Sequence, residues 1–72
     1  MPRRTPDAAP ATFGRRLRDL RTAAGLSVAA LAERASITRQ HVGWLESDRS
    51  SPTWDVVQRL AAALDATPND FR

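Results

Sequence analysis

The sequence predicts an all-α protein, a compact bundle of about five short helices, and three observations carry that expectation. Apolar residues recur three and four positions apart in successive stretches, a Ser or Thr stands just ahead of each stretch, and no segment alternates apolar and polar residues as a half-buried strand would. A chain of 72 residues has room for one domain, and at this size only about 60% of the unfolded surface is buried, which argues against a deep catalytic cleft.

Residues 1–11 hold Pro2, Pro6 and Pro10 among small and charged side chains, so they read as a flexible N-terminal arm ahead of a helical domain over 12–72. In the first helix Phe13, Leu17, Leu20 and Ala24 share a face, Thr12 is placed to cap the start, and Gly25 stands where a left-handed terminator is wanted. Ser27 caps the second helix, with Leu26 and Leu31 in staple positions and Val28, Leu31, Ala32 and Ala35 facing inward. The device repeats at once, because Ile37 precedes Thr38 and Val42 follows at the staple distance. Only Ala35, Ser36 and Ile37 connect these two helices, so the connection is a tight turn that sets them at a steep angle, a helix-turn-helix. Ser47 to Pro52 is a loop by composition. Thr53 then caps a fourth helix with Trp54 in its first turn and Val56, Val57, Leu60, Ala61 and Leu64 in one stripe. Thr67, Pro68 and Asp70 give the cap, first-position proline and third-position acid of a fifth helix.

The absence of cysteine excludes disulfide-stapled secreted scaffolds and thiolate metal sites. The N-terminal stretch has no apolar run, so neither a signal peptide nor a membrane span is expected, and a cytoplasmic protein without membrane partners is the simplest reading. Lysine is absent, all basic charge but that of His41 is arginine, and a net charge of +3 on a small surface suits an anionic partner. His41 is the sole histidine and lacks a companion at metal-ligand spacing, so no metal, cofactor or enzymatic activity is expected.

Several segments together resemble the Cro/repressor-type helix-turn-helix family, also called the xenobiotic-response-element family. They are Arg18-Asp19-Leu20-Arg21, Ala24-Gly25-Leu26-Ser27, Leu31-Ala32-Glu33, Ile37-Thr38 leading to Val42, Leu45-Glu46, Pro52, and Leu60 to Leu64. The resemblance spans Phe13 to Phe71 and implies a lambda-repressor-like DNA-binding domain: a transcriptional regulator, expected to be a repressor, that binds a two-fold symmetric operator in double-stranded DNA as a homodimer. It also implies a structural pair between Arg21 and Glu46, and helical geometry agrees, since Arg21 lies about 70° from the centre of its helix's apolar stripe. The chain departs from the family's usual pattern at Val28, where a glutamine is usual, and at Ser36 and Asp48, where glycines are usual.

On the third helix Val42 and Leu45 define the inward direction, which leaves Arg39, Gln40, Gly43, Trp44 and Ser47 outward. By resemblance Arg39 and Gln40 hold the base-reading positions, and their chemistry suits it: arginine matches the guanine edge and glutamine the adenine edge. Gly43 and Trp44 complete the expected reading face, glycine by permitting close approach and tryptophan by packing on sugar or thymine methyl groups. Phosphate contacts are expected at Ser27 and Thr38, which head helix N-termini, and at Ser47 and Arg49 beyond the third helix. Arg3 and Arg4 of the arm can reach an adjacent groove. The alternative is a protein-interaction module of the same fold, an antitoxin-type partner for example, that uses the Trp44 face; Val28 and Trp44 favour it, whereas the basic charge and the Arg39-Gln40 pair oppose it.

Overall fold

The computed structural model describes residues 12–71, so the expected arm at 1–11 lies outside the described residues. Four α-helices follow one another: α1 (Phe13–Ala23), α2 (Val28–Ala35), α3 (Arg39–Glu46) and α4 (Trp54–Ala63). The expected fifth helix is instead a single 3₁₀ turn, Pro68–Phe71. Its start signals do operate, because the Asp70 carboxylate accepts from the Thr67 N–H at 2.9 Å. The backbone, however, closes by an Asp70 N–H to Thr67 carbonyl bond, the three-residue spacing of a 3₁₀ turn.

Each α-helix is started and stopped by a local device. Thr12, Ser27, Thr38 and Thr53 lie in extended conformation, and each hydroxyl accepts from the backbone N–H three residues on, at 3.0–3.2 Å. At the other end, each helix is followed by a residue of positive φ: Gly25 at 73°, Ser36 at 60°, Asp48 at 61° and Asp65 at 55°. In every case the N–H of the next residue reaches back to the carbonyl five positions earlier, as Leu26 to Arg21, Ile37 to Ala32, Arg49 to Trp44 and Ala66 to Ala61. These are Schellman closures, and three of the four use a residue other than glycine.

The brackets place the apolar faces so that one core forms. Leu17, Leu31, Val42, Leu45 and Leu60 are fully buried, joined by Ala32, Ala35, Ala61 and Phe71. The core therefore draws on every element, with α2 packed against α3 and α4, and α1 against α3 and the closing turn. Phe71 seals the far side, its ring 5.0 Å from that of Phe13. Ile37, in the turn between α2 and α3, also packs on the core and so ties the turn's position to it.

Candidate nucleic-acid interface

Helix α3 is oriented by its two apolar anchors. Val42 and Leu45 have no exposed surface, and at 100° per residue the opposite side of the helix carries the polar stripe. Arg39, Gln40, Gly43, Trp44 and Ser47 are all exposed, and among the described residues the side chains of Arg39 and Gln40 make no hydrogen bond or ion pair. Trp44 retains 42% of its surface in solvent. His41 is half-buried at the flank of this stripe.

The residues expected at phosphates lie at two helix N-termini and in the loop after α3. The Ser27 and Thr38 hydroxyls accept from Ala30 and His41 N–H groups at 3.0 Å, which leaves each hydroxyl proton available to an incoming acceptor. The first N–H groups of α2 and α3 also point outward there, as they do at any helix start. Ser47 differs. Its hydroxyl donates to the Gly43 carbonyl at 2.9 Å and lies 3.2 Å from the Trp44 carbonyl, so its proton is spent within its own helix. Arg49 is exposed, and its backbone is fixed by the closure onto Trp44 at 2.8 Å.

Behind the stripe α3 is held by α1. Arg21 donates through Nε to Glu46 Oε2 at 2.6 Å and through Nη2 to Oε1 at 3.2 Å, a two-pronged pair whose side chains are only 13% and 11% exposed. Its third donor, Nη1, reaches the Leu26 carbonyl at 2.9 Å, so one guanidinium joins the end of α1, the start of α2 and the end of α3. The hydrogen bond to Glu46 raises the guanidinium pKa, outweighing the lowering effect of burial, so Arg21 stays charged.

Two residues complete this attachment: Gly14, which sequence reasoning passed over, and Asp48, which it marked only as a departure from the family's usual glycine. Gly14, in the first turn of α1, is buried, and a Cβ placed on it would run into the backbone carbonyls of Leu45 and Glu46. Helix α1 can therefore approach the end of α3 at backbone distance only without a side chain there. Asp48 sits where the family usually has glycine, and its carboxylate does what a glycine cannot. Oδ1 accepts from the Gly14 N–H at 3.1 Å and Oδ2 from the Thr12 hydroxyl at 2.7 Å, so the loop after α3 caps the start of α1. An unexplained glycine at the head of a helix is the available signal for Gly14, whereas the departure from glycine marks Asp48 without disclosing its capping role.

Ser36 likewise adopts the left-handed conformation that the family's glycine supplies, with φ 60° and ψ 41°. Val28 is half-buried against the core, a use of that position unlike that of an exposed polar side chain. No helix among the described residues is long and apolar enough to cross a membrane.

Comparison with known proteins agrees with this architecture. No curated protein sequence matches the chain. Among solved structures, the restriction-modification controller protein C.AhdI from Aeromonas hydrophila is similar, with 39% identity and a TM-score of 0.83 over 86% of this chain and 94% of that one. A transcriptional regulator of the HTH_3 family from Vibrio cholerae matches at 30% identity and a TM-score of 0.81, over 85% of this chain but only 34% of that longer protein. A helix-turn-helix domain family model matches residues 12–72. With α2 and α3 joined by the Ser36 turn and α3 braced from behind by α1, the chain belongs to the helix-turn-helix domain family and is homologous to transcriptional regulators of the Cro/repressor type.

Proposed function

We propose that the chain is a sequence-specific regulator of transcription, a repressor that binds a two-fold symmetric operator as a homodimer and lays α3 in the major groove. The observation that supports this most is the division of labour on α3. Val42, Leu45 and Glu46 are consumed by the fold, whereas Arg39 and Gln40, at the end that enters a groove deepest, are exposed and unengaged among the described residues. Arg39 offers two parallel donors to guanine N7 and O6, and Gln40 a donor and acceptor to adenine. Ser27, Thr38 and Arg49 clamp the flanking phosphates, and Ser47 joins them only by turning its hydroxyl away from the Gly43 carbonyl. Two copies are invoked because one such domain reads only a few base pairs.

Selection of bound sequences from a random duplex pool, with the wild-type and Arg39→Ala proteins, tests the reading. The wild type yields a two-fold symmetric site. Arg39→Ala flattens preference at one guanine in each half-site, where a bidentate contact discriminates by about 1–3 kcal/mol, and leaves affinity for random duplex unchanged. Unaltered preference at every position removes Arg39 from the reading set. Trp44, 42% exposed, favours a second reading, a protein-interaction module built on the same face. A wild-type protein that selects no sequence turns the interpretation to that module.

A further inference from the structure

The chain has three glycines, and the fold accounts for two of them. Gly14 has no room for a Cβ, and Gly25 has a φ of 73°. Gly43 has neither excuse. It lies inside the eight-residue α3, its φ is ordinary, and a Cβ built on it meets nothing within 4 Å. Alanine is the better helix former, so the free protein would be more stable with one there.

The reason for the glycine therefore lies outside the free protein, and its position says where. At 100° per residue Gly43 falls between the directions of Arg39 and Gln40, one turn further along, with Trp44 and Ser47 on its other side. The exposed stripe thus has a notch where a side chain is missing, and a methyl group placed there would meet nothing within 4 Å. The floor of the notch is also poor in donors. The Gly43 N–H is spent within the helix and the Ser47 proton on the Gly43 carbonyl at 2.9 Å, so a group resting against the glycine itself meets no free backbone or hydroxyl donor, and the unengaged donors of Arg39 and Gln40 belong to the turn before it. The major groove presents one apolar protrusion of that size, the C5-methyl group of thymine.

We propose that Gly43 is a specificity-determining residue whose missing side chain admits a thymine C5-methyl group beside the bases read by Arg39 and Gln40. This rests on the reading of α3 as the groove-entering helix. The test combines Gly43→Ala with thymine-to-uracil replacement, one position at a time, in the operator that the wild-type protein selects. Removal of the right methyl weakens wild-type binding about fourfold, the worth of one buried carbon. Gly43→Ala melts about 2–6 °C higher than wild type, because nothing obstructs the new methyl and a better helix former replaces glycine. It binds the thymine operator at least tenfold more weakly, keeps its affinity for random duplex, and regains binding when that one thymine becomes uracil. Binding of the thymine operator by Gly43→Ala at wild-type strength overturns the proposal, and so does a loss that no uracil position restores. A wild-type protein that selects a site with no methyl-sensitive thymine overturns the notch alone, whereas one that selects no site overturns the reading of α3 with it.

Discussion

At its C-terminal end α3 is gripped from α1 on several sides, while at its N-terminal end only its own cap and the turn from α2 hold it. Glu46 is forked by Arg21, the Leu45 and Glu46 carbonyls abut Gly14, and Asp48 just beyond bonds Thr12 and the Gly14 N–H. The Thr38 end is held by its own cap and, through the short Ser36 turn, by α2; Arg39 and Gln40 project from it without a partner among the described residues. The contrast teaches that this domain fixes the aim of its reading helix from the rear. The residues that brace α3 from behind and the residues proposed to read bases do not overlap, so each group can be altered with different consequences.

The severest way to break the rear attachment is Gly14→Ala. The obstacles are backbone carbonyls that cannot turn aside, so α1 must move, at a cost of about 3 kcal/mol read as a lower denaturation midpoint. A midpoint within error of wild type would mean that α1 and α3 tolerate a wider spacing. Glu46→Ala comes next. It strands a guanidinium that is only 13% exposed and lowers stability by about 2–4 kcal/mol, the lower part of the range reflecting residual access to water. DNA affinity falls with it because α3 loses its aim, and a variant with wild-type melting and binding would show that the pair carries no structural load.

The left-handed residues sharpen the comparison at smaller scale. Ser36→Gly relieves the Cβ strain of a positive φ and raises stability by about 0.5–1 kcal/mol in chemical denaturation. Asp48→Gly relieves similar strain but removes two hydrogen bonds at the start of α1, so it is neutral or destabilising. Equal gains at both sites would mean that the Asp48 cap contributes nothing. Least in effect is Arg49→Ala, which leaves folding unchanged and lowers the slope of log K against log salt by about one unit if Arg49 contacts phosphate. An unaltered slope takes Arg49 out of the contact set.

How far the sequence discloses this arrangement depends on how local each cause is. The caps at Thr12, Ser27, Thr38 and Thr53 and the inward faces of α1 to α4 follow from rules that act over a few residues, and the structure places them accordingly. The outward stripe of α3 was legible for the same reason, since Val42 and Leu45 set its phase. Helix ends were less so. A search for glycine finds Gly25 and passes over Asp65, while Ser36 and Asp48 are marked only as departures from the family's glycines; all three take the same conformation because tertiary packing outweighs a modest backbone preference. The last element has a helix's start signals but closes with 3₁₀ spacing. The roles of Gly14 and Asp48 are hidden because they arise only when residues 34 positions apart meet. The Ser47 proton depends on a bond direction that residue type does not encode.

The grip of α1 on the end of α3 also bears on the order in which the molecule assembles and opens. Its bonds join residues 25 to 36 positions apart, whereas α2, the Ser36 turn and α3 are contiguous and carry their own start and stop signals. Loop closure makes the distant contacts slower to form. The helix pair is therefore expected to organise first, and α1 to dock late and release early. In native-state hydrogen exchange the Gly14 amide, protected by a carboxylate across that long loop, would then report a partial opening of lower free energy than global unfolding. A regulator built this way has a single late step on which the aim of its reading helix depends, and ligand binding that favours the docked form would slow the escape of that one amide proton before any other sign of stabilisation.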